Sequence, residues 1–306
     1  MGEISMNDIG RLLTAMVTPF NEQGDVDYSE AKNLAMALVE SGSDGLVVAG
    51  TTGESPTLSR EEQKELFSLA KSSVPNTVAV VAGTGSNSTS EAIKYTGDAQ
   101  DAGVDACLLV VPYYNKPTQE GLFQHFKAIA ENTELPCILY NVPSRTVTNL
   151  SADTTIRLSS IPNIIGIKEA SGDFNQISRI IKGTGSEFRV WSGNDNDTFG
   201  IMNIGGYGVI SVASHIIGLQ IQAMIKFIVD GRISQAAELH LKLLDFFNGI
   251  FIVANPIPIK YLVNQCGINV GPPRLPLLAP DIETVTFLDA LVAKYTVDLT
   301  SKVSVH

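Results

Sequence analysis

The sequence predicts a (β/α)8 TIM barrel carrying a C-terminal helical extension, and three observations predict it. Apolar strand-like runs alternate with amphipathic helical segments, in about eight successive units. Several of those runs are continuously apolar rather than alternating, as parallel strands covered on both faces should be. After about residue 216 the pattern is helical only. The strand-like runs are residues 12–20, 45–53, 77–85, 106–114, 137–143, 164–170, 189–195 and 208–215. Helix starts fall between them. Ser59-Arg60-Glu61-Glu62 and Ser88-Thr89-Ser90-Glu91 have capping-box form, and Asp27-Tyr28-Ser29-Glu30 is a looser version. A doubly wound open sheet is the structural alternative. It usually carries a dinucleotide fingerprint after its first strand, and Thr18-Pro19-Phe20-Asn21-Glu22 is not one. Residues 216–229, 234–254, 256–266 and 281–295 read as helices. The expected division is a catalytic barrel over residues 1–230 and a helical extension over 231–306.

Composition bounds the function. The chain has 306 residues, 44% hydrophobic and 17% charged, with a net charge of −11, as in soluble globular proteins with a large core. No basic run appears, which argues against nucleic acid and anionic membranes as partners. Three scattered cysteines, Cys107, Cys137 and Cys266, make neither a disulfide framework nor a zinc site. His125, His215 and His240 are isolated, and no cluster has metal-ligand spacing, so no metal is expected. The N-terminus shows no apolar signal-peptide core, and Met6 stands where a myristoylation start needs Ser or Thr. No apolar run reaches about 18 residues. The expected location is cytoplasmic.

In such barrels the chemistry sits at the C-terminal ends of the strands. The most informative of these ends is Ile164-Ile165-Gly166-Ile167-Lys168-Glu169-Ala170. A lysine closing a buried apolar run is unusual, because a buried ammonium is costly to desolvate. A neutral amine in that position could attack a carbonyl; a lysine snorkelling at a strand edge is the other reading. Lys32, Lys64, Lys71, Lys94, Lys127, Lys182, Lys226, Lys242 and Lys294 fall in segments that read as exposed helix faces. Ala49-Gly50-Thr51-Thr52-Gly53-Glu54-Ser55 offers two hydroxyls and glycine-flanked amides, either a carboxylate cradle or a tight turn. The paired Tyr113 and Tyr114 read equally as packing or interface residues. Tyr140 at the fifth strand end could relay protons, and Arg145 beyond it could clamp a carboxylate or form a surface salt bridge. Ser192-Gly193-Asn194-Asp195 and Gly208-Val209-Ile210-Ser211 look like backbone contacts or packing. Together these ends hold the equipment for imine chemistry on a keto acid.

The combination Gly50-Thr51-Thr52-Gly53-Glu54, Tyr113-Tyr114-Asn115-Lys116-Pro117, Tyr140-Asn141-Val142-Pro143-Ser144-Arg145-Thr146 and Gly166-Ile167-Lys168-Glu169-Ala170 resembles the dihydrodipicolinate synthase family. Asn255-Pro256-Ile257-Pro258-Ile259-Lys260 is similar to that family as well, so the likeness runs from about Leu12 to about Leu291. It implies condensation of pyruvate with L-aspartate-4-semialdehyde on the route to lysine, with no cofactor. It implies that Lys168 forms the Schiff base and that Tyr140, Thr52 and Tyr114 relay protons, Tyr114 reaching into a neighbouring subunit. Thr51 and Thr52 would hold the pyruvate carboxylate, and Arg145 that of the semialdehyde. Gly193 and Ile210 match positions that contact the imine. The likeness further implies a homotetramer built as a dimer of dimers. It implies a lysine inhibitor site at Ser55, Asn87, Glu91 and Tyr113. Arg60 and Gln63 replace histidines found in some sensitive members, which points to weak or absent inhibition. Val147 stands where many relatives have glycine. Sibling pyruvate aldolases, such as N-acetylneuraminate lyase or 2-keto-3-deoxy sugar acid aldolases, are a second reading; Thr51-Thr52 and Arg145 argue against them. A catalytically silent ligand-binding relative is the third, and the presence of Lys168, Tyr140, Tyr114 and Thr52 argues against that.

Overall fold

A computed structural model describes residues 9–300 of the chain. Eight strands close into one barrel in sequence order: β1 (Leu12–Ala15), β2 (Gly45–Val48), β3 (Ala79–Gly83), β4 (Ala106–Val110), β5 (Cys137–Asn141), β6 (Ile164–Glu169), β7 (Arg189–Ser192) and β8 (Gly208–Ser211). Every neighbouring pair is parallel, including β1 with β8.

Alternation along the strands separates two apolar environments. Leu13, Val47, Val81, Leu108, Ile138, Tyr140, Trp191 and Ile210 share one buried cluster, with Ile165 packed against it. All eight strands contribute, so this cluster is the barrel interior. Leu12, Leu46, Val48, Val80 and Val209 pack instead with the helices.

The predicted runs overshoot the strands at their C-terminal ends. β2 stops at Val48 and β4 at Val110. Beyond them Ala49 (φ 51°) and Tyr114 (φ 74°) adopt left-handed backbone, which leaves the ladder although the residues stay apolar. Those extra residues are the loops at the barrel mouth.

The helix starts form as their sequences dictate. Ser59 and Glu62 make both halves of a capping box. Ser88 accepts from the Glu91 N–H, but the Glu91 carboxylate turns away to accept from the Ser86 hydroxyl. Asp27 caps the helix Tyr28–Glu40.

After β8 the helix Ser214–Val229 is followed by Ile233–Gly249, Ile257–Gln265 and Ile282–Val292. Phe246, Phe247, Leu262 and Leu288 from these later helices join the buried cluster that holds Leu34, Val209 and Ile216. The extension therefore packs into the apolar shell of the barrel. Among the described residues no helix is long and apolar enough to cross a membrane.

Candidate active site

Lys168 owes its direction to an irregularity. β5 pairs with β6 as Cys137 to Ile164 and then Ile138 to Gly166, so the register shifts by one residue. The extra residue changes which side chains face inward. Gly166 and Lys168 come to lie beside Ile138 and Tyr140, two residues of the barrel interior. Without the shift, Lys168 would pair with Asn141 and face outward, and Ile167 would take the inward place beside Tyr140. A Cβ at Gly166 would lie 2.7 Å from the Trp191 ring, so glycine fits the crowded interior there.

Lys168 is 6% exposed. Its Nζ lies 4.3 Å from the centroid of the Tyr140 ring. Among the described residues it makes no hydrogen bond or ion pair. Gly193 leaves space beside it, since a Cβ there would sit 3.2 Å from Lys168 Cε. Asp195 lies within electrostatic reach of Lys168, and Ile210 belongs to the same interior cluster as Tyr140. The buried Asp195 carboxylate accepts from the Ser211 hydroxyl and from the Val212 and Ala213 amides, tying the β7 and β8 ends together. Burial pushes its carboxyl up, against those hydrogen bonds and the charge of Lys168. His215 bridges β8 to β1 by accepting from the Val17 N–H while facing the Val212 carbonyl. Burial lowers it to about 4, so it is neutral and structural at working pH.

The turn after β2 is held from two sides. Glu54 (φ 57°) sends its carboxylate into the protein, where it accepts from Lys260 Nζ at 2.9 Å and from the Arg274 N–H at 2.9 Å. Thr18 donates its hydroxyl to the Gly53 carbonyl at 2.6 Å. Thr52 is buried, and its hydroxyl oxygen accepts from Asn255 Nδ2 at 2.9 Å.

Arg145 rides on the short helix Pro143–Thr146. Val147 ends that helix in left-handed conformation (φ 60°, ψ −3°), a position that favours glycine, with its side chain 71% exposed. Arg145 Nη2 donates to the Asn255 carbonyl at 3.4 Å. The far end of the loop is pinned by a buried polar network. Asn141 donates to Asn149 and to Glu169, and Gln176 donates to the same two residues. Burial raises the Glu169 carboxyl, although its hydrogen bonds oppose this.

A cavity of about 340 Å³ joins Thr51 and Arg145 to Ser55, Gln63, Glu91 and Tyr113. Three of the four candidate inhibitor-site residues therefore share one space with two candidate substrate-binding residues. The fourth, Asn87, adjoins it by donating to the Tyr113 carbonyl at 3.2 Å. Gln63 Nε2 donates to the Ser55 carbonyl, whereas Arg60 points away and pairs with Asp98. Lys168, Tyr140 and Thr52 do not line this cavity. Tyr114 meets none of them within one chain; it is 89% exposed.

Sequence reasoning missed three positions. Asn255 was noticed only as part of a motif, yet it touches both Thr52 and Arg145. Lys260 lies on a helix and is 1% exposed. Asp195 looked like loop backbone. The spacing gave no signal for the first two, whose partners are 203 and 206 residues away. Among the described residues no group of His, Cys, Asp and Glu could hold a metal ion.

The sequence matches the dihydrodipicolinate synthetase family over residues 8–294. It is 57% identical, over 297 residues, to a 4-hydroxy-tetrahydrodipicolinate synthase from Dehalococcoides mccartyi, covering 97% of this chain and all of that one. A synthase of the same name from Moorella thermoacetica is 52% identical over 269 residues, covering 88% of this chain and 92% of the relative. The crystal structure of the Cyanidioschyzon merolae enzyme with lysine bound superposes with a TM-score of 0.92 at 47% identity, covering 94% of this chain and 98% of that one.

Proposed function

The chain belongs to the dihydrodipicolinate synthetase family, and on that premise we propose that it condenses pyruvate with L-aspartate-4-semialdehyde to 4-hydroxy-tetrahydrodipicolinate, in diaminopimelate and lysine biosynthesis. The observation that carries this reading is Lys168, a buried lysine with no hydrogen bond or ion pair among the described residues, at the C-terminal end of β6. A lysine nitrogen without a hydrogen-bond partner among the described residues is free to meet a reacting carbonyl.

In the proposed reaction the neutral amine attacks the pyruvate ketone and water leaves, giving an imine. Loss of a methyl proton gives an enamine, whose carbon attacks the aldehyde of the semialdehyde; the semialdehyde's own amino group then attacks the imine carbon and displaces Lys168, closing the ring and freeing the enzyme. Each step moves a proton, and in this reading Tyr140, whose ring centroid lies 4.3 Å from Lys168 Nζ, relays it. Thr52 links Tyr140 to Tyr114. Thr51, Thr52 and nearby backbone hold the pyruvate carboxylate. Gly193 and Ile210 border the imine. Arg145 opens onto the same cavity as Thr51 and receives the second carboxylate in bidentate fashion.

Tyr114 completes the relay only if a second copy supplies it, because its side chain projects into solvent. The proposal therefore includes a homo-oligomer, a tetramer built as a dimer of dimers, working in the cytoplasm without a cofactor. Ser55, Asn87, Glu91 and Tyr113 form the proposed site for free lysine. Weak or absent inhibition is expected, because Arg60 and Gln63 stand where some sensitive members have histidines, and Arg60 is engaged with Asp98. A lysine titration showing half-inhibition below about a millimolar, the weak end of ligand affinity, would overturn that expectation.

The deciding experiment is intact mass after borohydride reduction with pyruvate alone. One reduced-imine adduct on wild type, absent from Lys168→Ala, is expected. No adduct on folded wild type would end the reading.

A further inference from the structure

We propose that Asn255 is a positioning residue that sets the direction of the Thr52 hydroxyl, and that it also fixes the carboxylate clamp Arg145. The proposal rests on the reading above, in which Thr52 stands in the proton relay. The C-terminal extension thereby supplies a working part of a site otherwise built from barrel strand ends.

Asn255 is buried. Its Nδ2 donates to Thr52 Oγ1 at 2.9 Å, and its backbone carbonyl accepts from Arg145 Nη2 at 3.4 Å. Its Oδ1 is buried and has no partner among the described residues. The amide is therefore held by its donor end, through Thr52. A buried acceptor left unpaired costs free energy, and such costs persist where a function requires the geometry.

The consequence lies in the bonding capacity of a hydroxyl. Thr52 Oγ1 has one hydrogen and two lone pairs. An amide N–H cannot accept, so the Thr52 hydrogen must point to a group other than Asn255. One lone pair is filled by Nδ2, and one stays open. Thr52 can then accept a proton on the open lone pair as its own hydrogen leaves to the next oxygen. It ends the step unchanged, and Asn255 keeps its own protons. Without Nδ2 the hydroxyl rotates freely and spends part of its time pointing away from the relay.

The test uses the full chain and a replacement of the same shape. In Asn255→Asp the ionised carboxylate offers only acceptors, so the Thr52 hydroxyl turns toward it. The rate of pyruvate imine formation, read by borohydride quench and mass, should fall at least about tenfold at neutral pH, within the range of general acid–base effects. As pH falls and the carboxyl takes up a proton, it can donate again, so the gap to wild type should narrow. In a Thr52→Ala background the same substitution should change the rate less than about twofold, because residues that act through one another are not additive. Should Asn255→Asp not fold, Asn255→Ser, too short to reach Thr52, is expected to show the same dependence on background. Equal losses in both backgrounds would mean a purely structural role and overturn the proposal. So would wild-type rates in Asn255→Asp, which would mean that Thr52 donates to the amide. Either result leaves the adduct on wild type intact, whereas loss of that adduct would strike the proposed function itself.

Discussion

Lys168 and Lys260 are both withdrawn from solvent, 6% and 1% exposed, but their ammonium groups meet different surroundings. Lys260 Nζ donates to the Glu54 carboxylate and the Thr18 carbonyl at 2.9 Å each and to the Pro272 carbonyl at 3.1 Å. Its three donors are all used, and it also lies 4.2 Å from the Phe20 ring centroid. Lys168 has the Tyr140 ring, the space left by Gly193 and the more remote charge of Asp195. Burial pulls Lys260 down to about 8, with Glu54 opposing. A lowered pKa is therefore no mark of a nucleophile. A lysine whose lone pair would still be surrounded by acceptors has nowhere to react. The difference between the two regions is vacancy, and it comes from glycine and a register shift on one side and from converging carbonyls on the other.

The sharpest way to break this contrast is to exchange the losses. Lys260→Met leaves Glu54 as an unpaired buried carboxylate and should cost about 3–5 kcal/mol of stability, measured by urea unfolding. The borohydride adduct on Lys168 should survive in that variant under conditions where it is folded. Lys168→Ala should behave in the opposite sense, losing the adduct while unfolding at nearly the wild-type urea concentration. A loss of stability in Lys168→Ala as large as that in Lys260→Met would erase the distinction.

A smaller effect follows from pH. The Lys260 ammonium sits at about 8 in the folded chain against an ordinary 10.5. Between those values the unfolded chain binds more protons, so this group makes stability rise with pH there. The rise should appear in wild type from about pH 8 to 10 and be missing from Lys260→Met. A flat difference between the two curves would mean that Lys260 keeps its ordinary affinity for protons.

The smallest expected change tests vacancy and strain at the rim of the reactive region. Val147 holds left-handed backbone that a β-branched residue adopts at a cost of about 1–2 kcal/mol. Glycine removes that cost but gives the unfolded chain more freedom. Val147→Gly should therefore raise stability by at most about 1 kcal/mol, with the Lys168 adduct unaltered. Destabilisation beyond that would show that the valine side chain contributes packing, despite its exposure.

Much of the reactive region was legible in the chain itself, and little of the clamped one. Lys168 stood out because it closes an apolar strand, and strand and helix signals are local. The capping box at Ser59 and Glu62 formed as its spacing required. Strand ends were less legible, because hydropathy continues through Ala49 and Tyr114 while the backbone turns away. Lys260 was legible within a motif but not as a buried cation, because a lysine within a helix ordinarily faces water, and its partner Glu54 lies on a loop over two hundred residues earlier. Asn255 was legible as a motif but not as a contact, for the same reason. The register shift that points Lys168 inward depends on pairing with β5 and leaves no trace in composition.

The clamp on Glu54 has a consequence for the order in which the molecule is made. A chain growing from its N-terminus produces the turn carrying Thr51, Thr52 and Glu54 early. The partners that hold it, Asn255, Lys260 and Arg274, come 203, 206 and 220 residues after the groups they bind. Until they arrive, Glu54 is a carboxylate with no cation to meet it in the interior, and burying it alone is unfavourable. The turn carrying Thr51 and Thr52 is thus among the last parts to set, and an incomplete chain should carry a barrel without a finished mouth. That turn waits on three residues made after the last barrel strand.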